Sequence, residues 1–186
     1  RIARDAFLKC SRMTSVTIPQ SVTTIETRAF TLCTSLADVT VGNGVTTIGD
    51  EAFSQCYSLS NVILGNRVTR IGDGAFDGCT RLKSITIPDS VISIGSFAFR
   101  QCFSLDRLTI GTSVTDLGGG AFAGCTSLTK VTIPGNVIRI DGGAFAGCLS
   151  LSDLTLGTGL ASLGEAAFEG CVKLGRVTIP DSVTNL

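Results

Sequence analysis

Ala98-Phe99-Arg100-Gln101-Cys102 is one of eight copies of Ala-Phe-x-x-Cys, which begin at Ala6, Ala29, Ala52, Ala75, Ala98, Ala121, Ala144 and Ala167. The interval is 23 residues each time, with no insertion. That period is too long for a heptad and falls where stacked repeat units are found. Working outward from Cys79, the unit continues through Leu82, Ile85, Ile87, Pro88, Val91 and Ile94 to the next Ala98-Phe99. Ile85 and Ile87 alternate with Ser84 and Thr86, which is strand periodicity. The next residue is Pro at 19, 88, 134 and 180 and Gly at 42, 65, 111 and 157, so a turn is expected after every strand. Val91 and Ile94 are three apart and allow only a very short second extended edge. Ala29, Cys33 and Leu36 lie at i, i+4 and i+7, which predicts a short α or 3₁₀ segment held by packing. Eight rungs at ~4.8 Å would make a rod roughly 40 Å long, with eight Phe side chains buried as its spine.

The 186 residues are thus expected to be one solenoid domain, 1–186, of about eight repeats. With 44% hydrophobic and 16% charged residues the chain has the apolar content to fold. Fifteen basic and fifteen acidic residues give no net charge, which argues against nucleic acid and anionic lipid as partners. No run reaches the ~20 apolar residues needed to span a bilayer, so direct membrane insertion is not expected. The chain opens on the repeat at Arg1 and ends with Val183 and Leu186 in core columns. Solenoids need polar caps, so either flanking sequence of a longer protein or end-to-end self-association is expected.

Candidate chemistry is sparse. There is no His, and no two Cys are closer than 23 residues, so a metal site, a cofactor or a thiol nucleophile is not expected. The eight Cys, 10 through 171 in steps of 23, are expected to be buried free thiols beside Phe. Glu26, Asp50, Glu51, Asp73, Asp141 and Glu165 gather before the short helical segment and are expected to serve its free N–H groups rather than a cation or a reaction. Gly72, Gly74 and Gly78 lack the context of a phosphate loop. The chain is not expected to be an enzyme.

The outward strand face varies more. A Thr column is broken by Ile63, and beside it runs the column Ser15, Asp38, Asn61, Ser84, Arg107, Lys130, Asp153 and Arg176. Variety on a constant frame suits a binding surface. Tyr57, Phe97 and Phe103 stand where the repeat usually carries a polar residue, as do Ile92, Ile138, Leu149 and Val172. Neighbouring exposed aromatics can mark a protein contact, or can tuck against adjacent structure. Asp38, Asn61, Tyr57, Ile63, Phe97, Phe103, Arg107, Lys130, Asp153 and Arg176 are the candidate protein-binding residues.

The unit Cys-x-x-Leu-x-x-Val/Ile-x-Ile/Leu-Pro/Gly-x-x-Val-x-x-Ile, followed by Ala-Phe, resembles the BspA-like, or Treponema-type, leucine-rich repeats over essentially the whole chain. Met13 for Leu, Leu149 after Cys148 and Gly175 before the last strand are small departures. The resemblance implies an α/β solenoid, a right-handed leucine-rich repeat superhelix of 23-residue units with a parallel strand stack and short helices or 3₁₀ turns. It also implies a cell-surface or secreted location. Some similar proteins are adhesins that contact host cells or extracellular matrix proteins such as fibronectin and fibrinogen. The function expected is a non-enzymatic protein-binding module; the alternative is a structural spacer with no ligand.

Overall fold

The computed structural model describes residues 1–185. The alternation of apolar and polar residues after each Cys forms a long strand, and the three-apart pair that follows forms a short one. In chain order these are β1 (Ser15–Ile18), β2 (Thr24–Ile25), β3 (Asp38–Val41), β4 (Thr47–Ile48), β5 (Asn61–Ile63), β6 (Arg70–Ile71) and β7 (Ser84–Thr86). They continue as β8 (Ser93–Ile94), β9 (Arg107–Thr109), β10 (Asp116–Leu117), β11 (Lys130–Thr132), β12 (Arg139–Ile140), β13 (Asp153–Thr155) and β14 (Ser162–Leu163). All pairing is parallel and offset by one repeat, Val16 beside Val39 and Ile25 beside Ile48. The result is a parallel β-solenoid of 23-residue turns. Leu186, assigned to a core column from sequence, lies outside the described residues.

The two strand columns behave differently. The short strands form one unbroken seven-stranded sheet from β2 to β14. The long strands fall into separate sheets, β1-β3-β5, β7-β9 and β11-β13, and the expected eighth long strand at Val177–Ile179 does not form. Every break lies immediately before a repeat carrying Pro at the strand's end: Pro88, Pro134 or Pro180. A Cβ on Gly42 would stand 2.6 Å from the Ile18 carbonyl oxygen, and one on Gly65 2.5 Å from that of Gly42. Glycine therefore lets successive backbones meet at this level. Proline has a Cβ and lacks an N–H, so it cannot approach as closely or make the bond that Gly42 N–H donates to Ile18 O at 2.9 Å.

The segment expected to be a short helix is a run of turns, with no helical residue among those described. Its N–H groups alternate between two directions. Phe30 and Leu32 donate to Ala52 O and Ser54 O in the next repeat, at 2.8 and 2.9 Å, while Thr31 donates back to Arg28 O at 3.2 Å. Half the donors are thus committed between repeats and cannot build a helical ladder. The same segment needs a left-handed residue at two positions four apart, such as Arg28 (φ 56°) and Leu32 (φ 62°), and Gly fills those positions at 74 and 78. The expectation rested on apolar spacing alone and missed this glycine spacing.

Phe is the spine. Successive rings from Phe7 to Phe168 stack with centroids 4.9 to 5.4 Å apart. Six of the eight are fully buried, and truncating one to Ala would cost about 3–5 kcal/mol. Contrary to the expectation of eight buried rings, Phe7 is 36% exposed and Phe168 half-buried, each having a stacking partner on one side only. All eight Cys are free. Each buried thiol donates to a Phe carbonyl of the preceding repeat, as Cys56 does to Phe30 O at 3.2 Å. Burial pushes the Cys56 and Cys125 thiols up to about 12.

Candidate protein-binding surface

On the long-strand face, pairing in register stacks the side chains of successive repeats. Asp38, Asn61, Arg107, Lys130, Asp153 and Arg176 are all exposed and share one phase of the repeat; Asp38 pairs with Asn61, Ser84 with Arg107 and Lys130 with Asp153, while Arg176 lies on no strand. Two neighbouring pairs satisfy each other: Lys130 Nζ lies 2.8 Å from Asp153 Oδ2, and Asn61 Nδ2 donates to Asp38 Oδ1 at 3.4 Å. Among the described residues Arg107 has only Asp106 as an acidic neighbour, 4.0 Å away. Ile63 belongs to the adjacent column beside Thr40 and is 54% exposed.

The breaks in the long-strand stack open clefts on this face. One of about 400 Å³ lies between β5 and β7, lined by Val62, Ile63, Leu64, Asn66, Ser84, Thr86 and Pro88. A second, of about 270 Å³, lies between β9 and β11 and is bordered by Arg107, Leu108 and Lys130. Thus Ile63 lines one cleft, and Arg107 on β9 and Lys130 on β11 border the other. Sequence reasoning named these residues but not the clefts; the signal was the placement of Pro88 and Pro134.

The aromatics do not form one patch with this face. Tyr57 and Phe103, both about half exposed, follow Cys56 and Cys102 two repeats apart, with Thr80 between them. Thr80 Oγ1 donates to Tyr57 O at 3.2 Å, and Tyr57 Oη donates to Gln55 Oε1 at 2.9 Å. Phe97 lies on the turn segment instead. The Arg100 guanidinium is 4.9 Å from its ring centroid, and it lines a polar groove with Glu51, Asp73 and Asp77. Its ring covers the Cα of Gly120, where a Cβ would have no room.

The acidic residues act between repeats and not at a helix start. Asp50 Oδ1 accepts the Asp73 N–H at 3.1 Å, Asp73 Oδ1 accepts the Ser96 N–H at 2.8 Å, and Asp50 also pairs with Arg70 at 2.9 Å. Among the described residues no three acidic or thiol groups converge as a metal site, and no helix is long and apolar enough to cross a membrane. Charge is also partitioned. The stretch from each Cys to the end of the next long strand holds seven basic residues, among them Arg81, Lys83, Arg107 and Lys130, against three acidic ones, Asp38, Asp106 and Asp153. That side carries +4, and the rest of the turn carries −4.

The solved structure of a T. pallidum leucine-rich repeat protein is similar, with 31% identity and a TM-score of 0.81 over 88% of this chain and 78% of that one. The pneumococcal vaccine antigen PcpA shares the fold at 21% identity and TM-score 0.59, over 99% of this chain and 62% of that one. No curated protein matches the chain. The family model described as "BspA type Leucine rich repeat region (6 copies)" matches residues 1–129 and 117–186. Eight in-phase Ala-Phe-x-x-Cys units, their stacked Phe column and these matches establish that the chain belongs to the BspA-type leucine-rich repeat family.

Proposed function

We propose that the chain is a non-enzymatic protein-binding module of a cell-surface or secreted protein, an adhesin that contacts a host or matrix protein through its long-strand face. The observation that carries this reading is the cleft between β9 and β11, which the exposed Arg107 and Lys130 border. Around it the constant Val, Leu and Ile columns hold a surface whose outward residues differ from rung to rung. Family membership supports the binding role, since repeats of this architecture present long surfaces to other proteins. The family resemblance supports the surface location. Tyr57 and Phe103 form a separate apolar contact at the corner of the turn.

The mutual pairing of Lys130 with Asp153, and of Asn61 with Asp38, favours a second reading, a spacer whose surface is satisfied by itself. Binding of the immobilised chain to a panel of matrix and host-surface proteins separates the two. The module should bind at least one member saturably, and an Arg107→Glu/Lys130→Glu variant that melts like the parent should lose that binding. Binding that survives in the folded variant removes the strand face from the contact. No binding to any member leaves the spacer.

A further inference from the structure

The corner at which each repeat enters its long strand carries a groove of about 600 Å³ that spans four repeats, bordered by Ser35, Ser58, Ser60, Arg81, Lys83 and Ser104. Three features converge there. Arg81 and Lys83 are exposed, and neither has an ion-pair partner among the described residues. Serine hydroxyls line the floor on both sides of the two cations.

The third feature is the backbone. In the paired repeats two consecutive N–H groups at strand entry donate to one carbonyl of the preceding repeat. Ala37 and Asp38 donate to Thr14 O, Ser60 and Asn61 to Ala37 O, and Asp106 and Arg107 to Lys83 O. The equivalent donors on Lys83 and Ser84 make no such bond, because the break before Pro88 separates β5 from β7. Two adjacent backbone donors are therefore left beside two unpaired cations and a row of hydroxyls. Successive amides of this kind, with Arg and Lys, are what an oxyanion selects.

Neither other break repeats the combination in full: the one after β13 keeps Lys173 in place of Arg81 and Ser152 in place of Ser60 but has Gly175 in place of Lys83. At the corresponding positions of the break between β9 and β11 stand Ser127 and Thr129 in place of Arg81 and Lys83, with Asp106 in place of Ser60. Asp106 does not line the first groove, but it stands one rung beyond Lys83 in the same column, two residues after the groove's Ser104, and so places a negative charge near its end. The groove is larger than one oxyanion requires and runs along the rod.

The geometry points to an anion-binding groove at Arg81 and Lys83, with the Lys83 and Ser84 amides as donors, that takes the sulfate groups of a sulfated polysaccharide. This goes beyond the strand-face reading and does not depend on it. Charge-assisted bonds to sulfate supply attraction, and the serines accept and donate to sugar hydroxyls.

The test titrates the 186-residue chain with a heparin-derived hexasaccharide, its desulfated form, inorganic sulfate and a poly-Glu peptide. The sulfated hexasaccharide should bind saturably and weaken as salt rises. Arg81→Gln/Lys83→Gln, with an unchanged melting profile, should weaken it by at least about tenfold. Arg12→Gln, in the Arg81 column three repeats away, should bind as the parent does, and Asp106→Asn should bind more tightly. Undiminished binding in the double variant, or an equal loss in Arg12→Gln, overturns the site. Inorganic sulfate binding as tightly as the hexasaccharide overturns the polymer, and capture of poly-Glu alone makes the groove a protein contact instead.

Discussion

Asp89 shows how single residues join the repeats. It sits at the turn after β7, and its carboxylate accepts the Thr112 N–H at 2.7 Å and the Thr112 hydroxyl at 3.0 Å, one repeat onward. Asn43 makes the neutral version of this contact, its Oδ1 accepting the Asn66 N–H at 3.0 Å. The Thr112 backbone bond, then the hydroxyl bond, hold the Asp89 carboxyl below its ordinary 3.8. A depressed folded pKa gives stability that is present above the unfolded value and is lost as pH falls through the folded one. Asp89→Asn keeps an acceptor but no charge. Its melting temperature should lie below that of the parent near neutrality, and the gap should close between about pH 5 and pH 2. A gap independent of pH would show that the charge contributes nothing there. The sequence reading placed Asp89 in a turn, and the turn forms, but the partner one repeat away follows from stacking and cannot be seen in a local window.

At the scale of the strand, one position per repeat decides whether neighbouring rungs zip together. Gly42 N–H bonds Ile18 O, and its Cα leaves no room for a side chain. Gly42→Pro should remove that bond, drive β1 from β3 and cost at least about 1–3 kcal/mol, read from denaturant unfolding. Pro88→Gly should do the reverse: it offers an N–H toward Leu64 O and should bring β7 onto β5. A Gly42→Pro chain as stable as the parent would detach the breaks from proline. The strand columns and the turns were legible in sequence because apolar alternation and Pro/Gly punctuation are local signals. The breaks were not, although Pro88, Pro134 and Pro180 mark them, because a proline reads as the end of its own strand and not as the loss of a neighbour. The turn segment was misread for a related reason: Ala29, Cys33 and Leu36 share a helical spacing, yet the alternate N–H groups go to the next repeat. Of the candidate site, the exposure of Arg107, Lys130 and Ile63 followed from alternation. The clefts around them did not, and Arg81 and Lys83 drew no notice because each is one ordinary surface cation until the break beside them is known.

Across the whole molecule these local rules give two sides with different mechanical continuity. The short-strand sheet runs unbroken through seven strands, and the Phe stack runs beside it from Phe7 to Phe168. The long-strand side is divided in three. In a solenoid, stability is approximately a sum over repeats and the interfaces between neighbours, so an interface that crosses a break retains the short-strand bonds and ring stacking while losing the long-strand ladder. Amide exchange should record this directly. Gly95, which donates to Ile71 O at 2.9 Å, should exchange slowly, as should Gly118, donating to Ile94 O at 2.9 Å. Asp106 and Ser152, bonded across paired long strands, should be protected. Lys83, Ser84, Thr129 and Lys130, whose equivalents are bonded in the paired repeats, should exchange fast, so that on this side protection holds through β3 and β5 and alternates from one repeat to the next beyond them. Uniform protection along both sides would mean that the long-strand stack is continuous in solution, and both the clefts and the pair of amides beside Arg81 would be lost with the breaks. Fast exchange at Lys83 and Ser84 that slows when a sulfated oligosaccharide is added would tie the open backbone to the ligand.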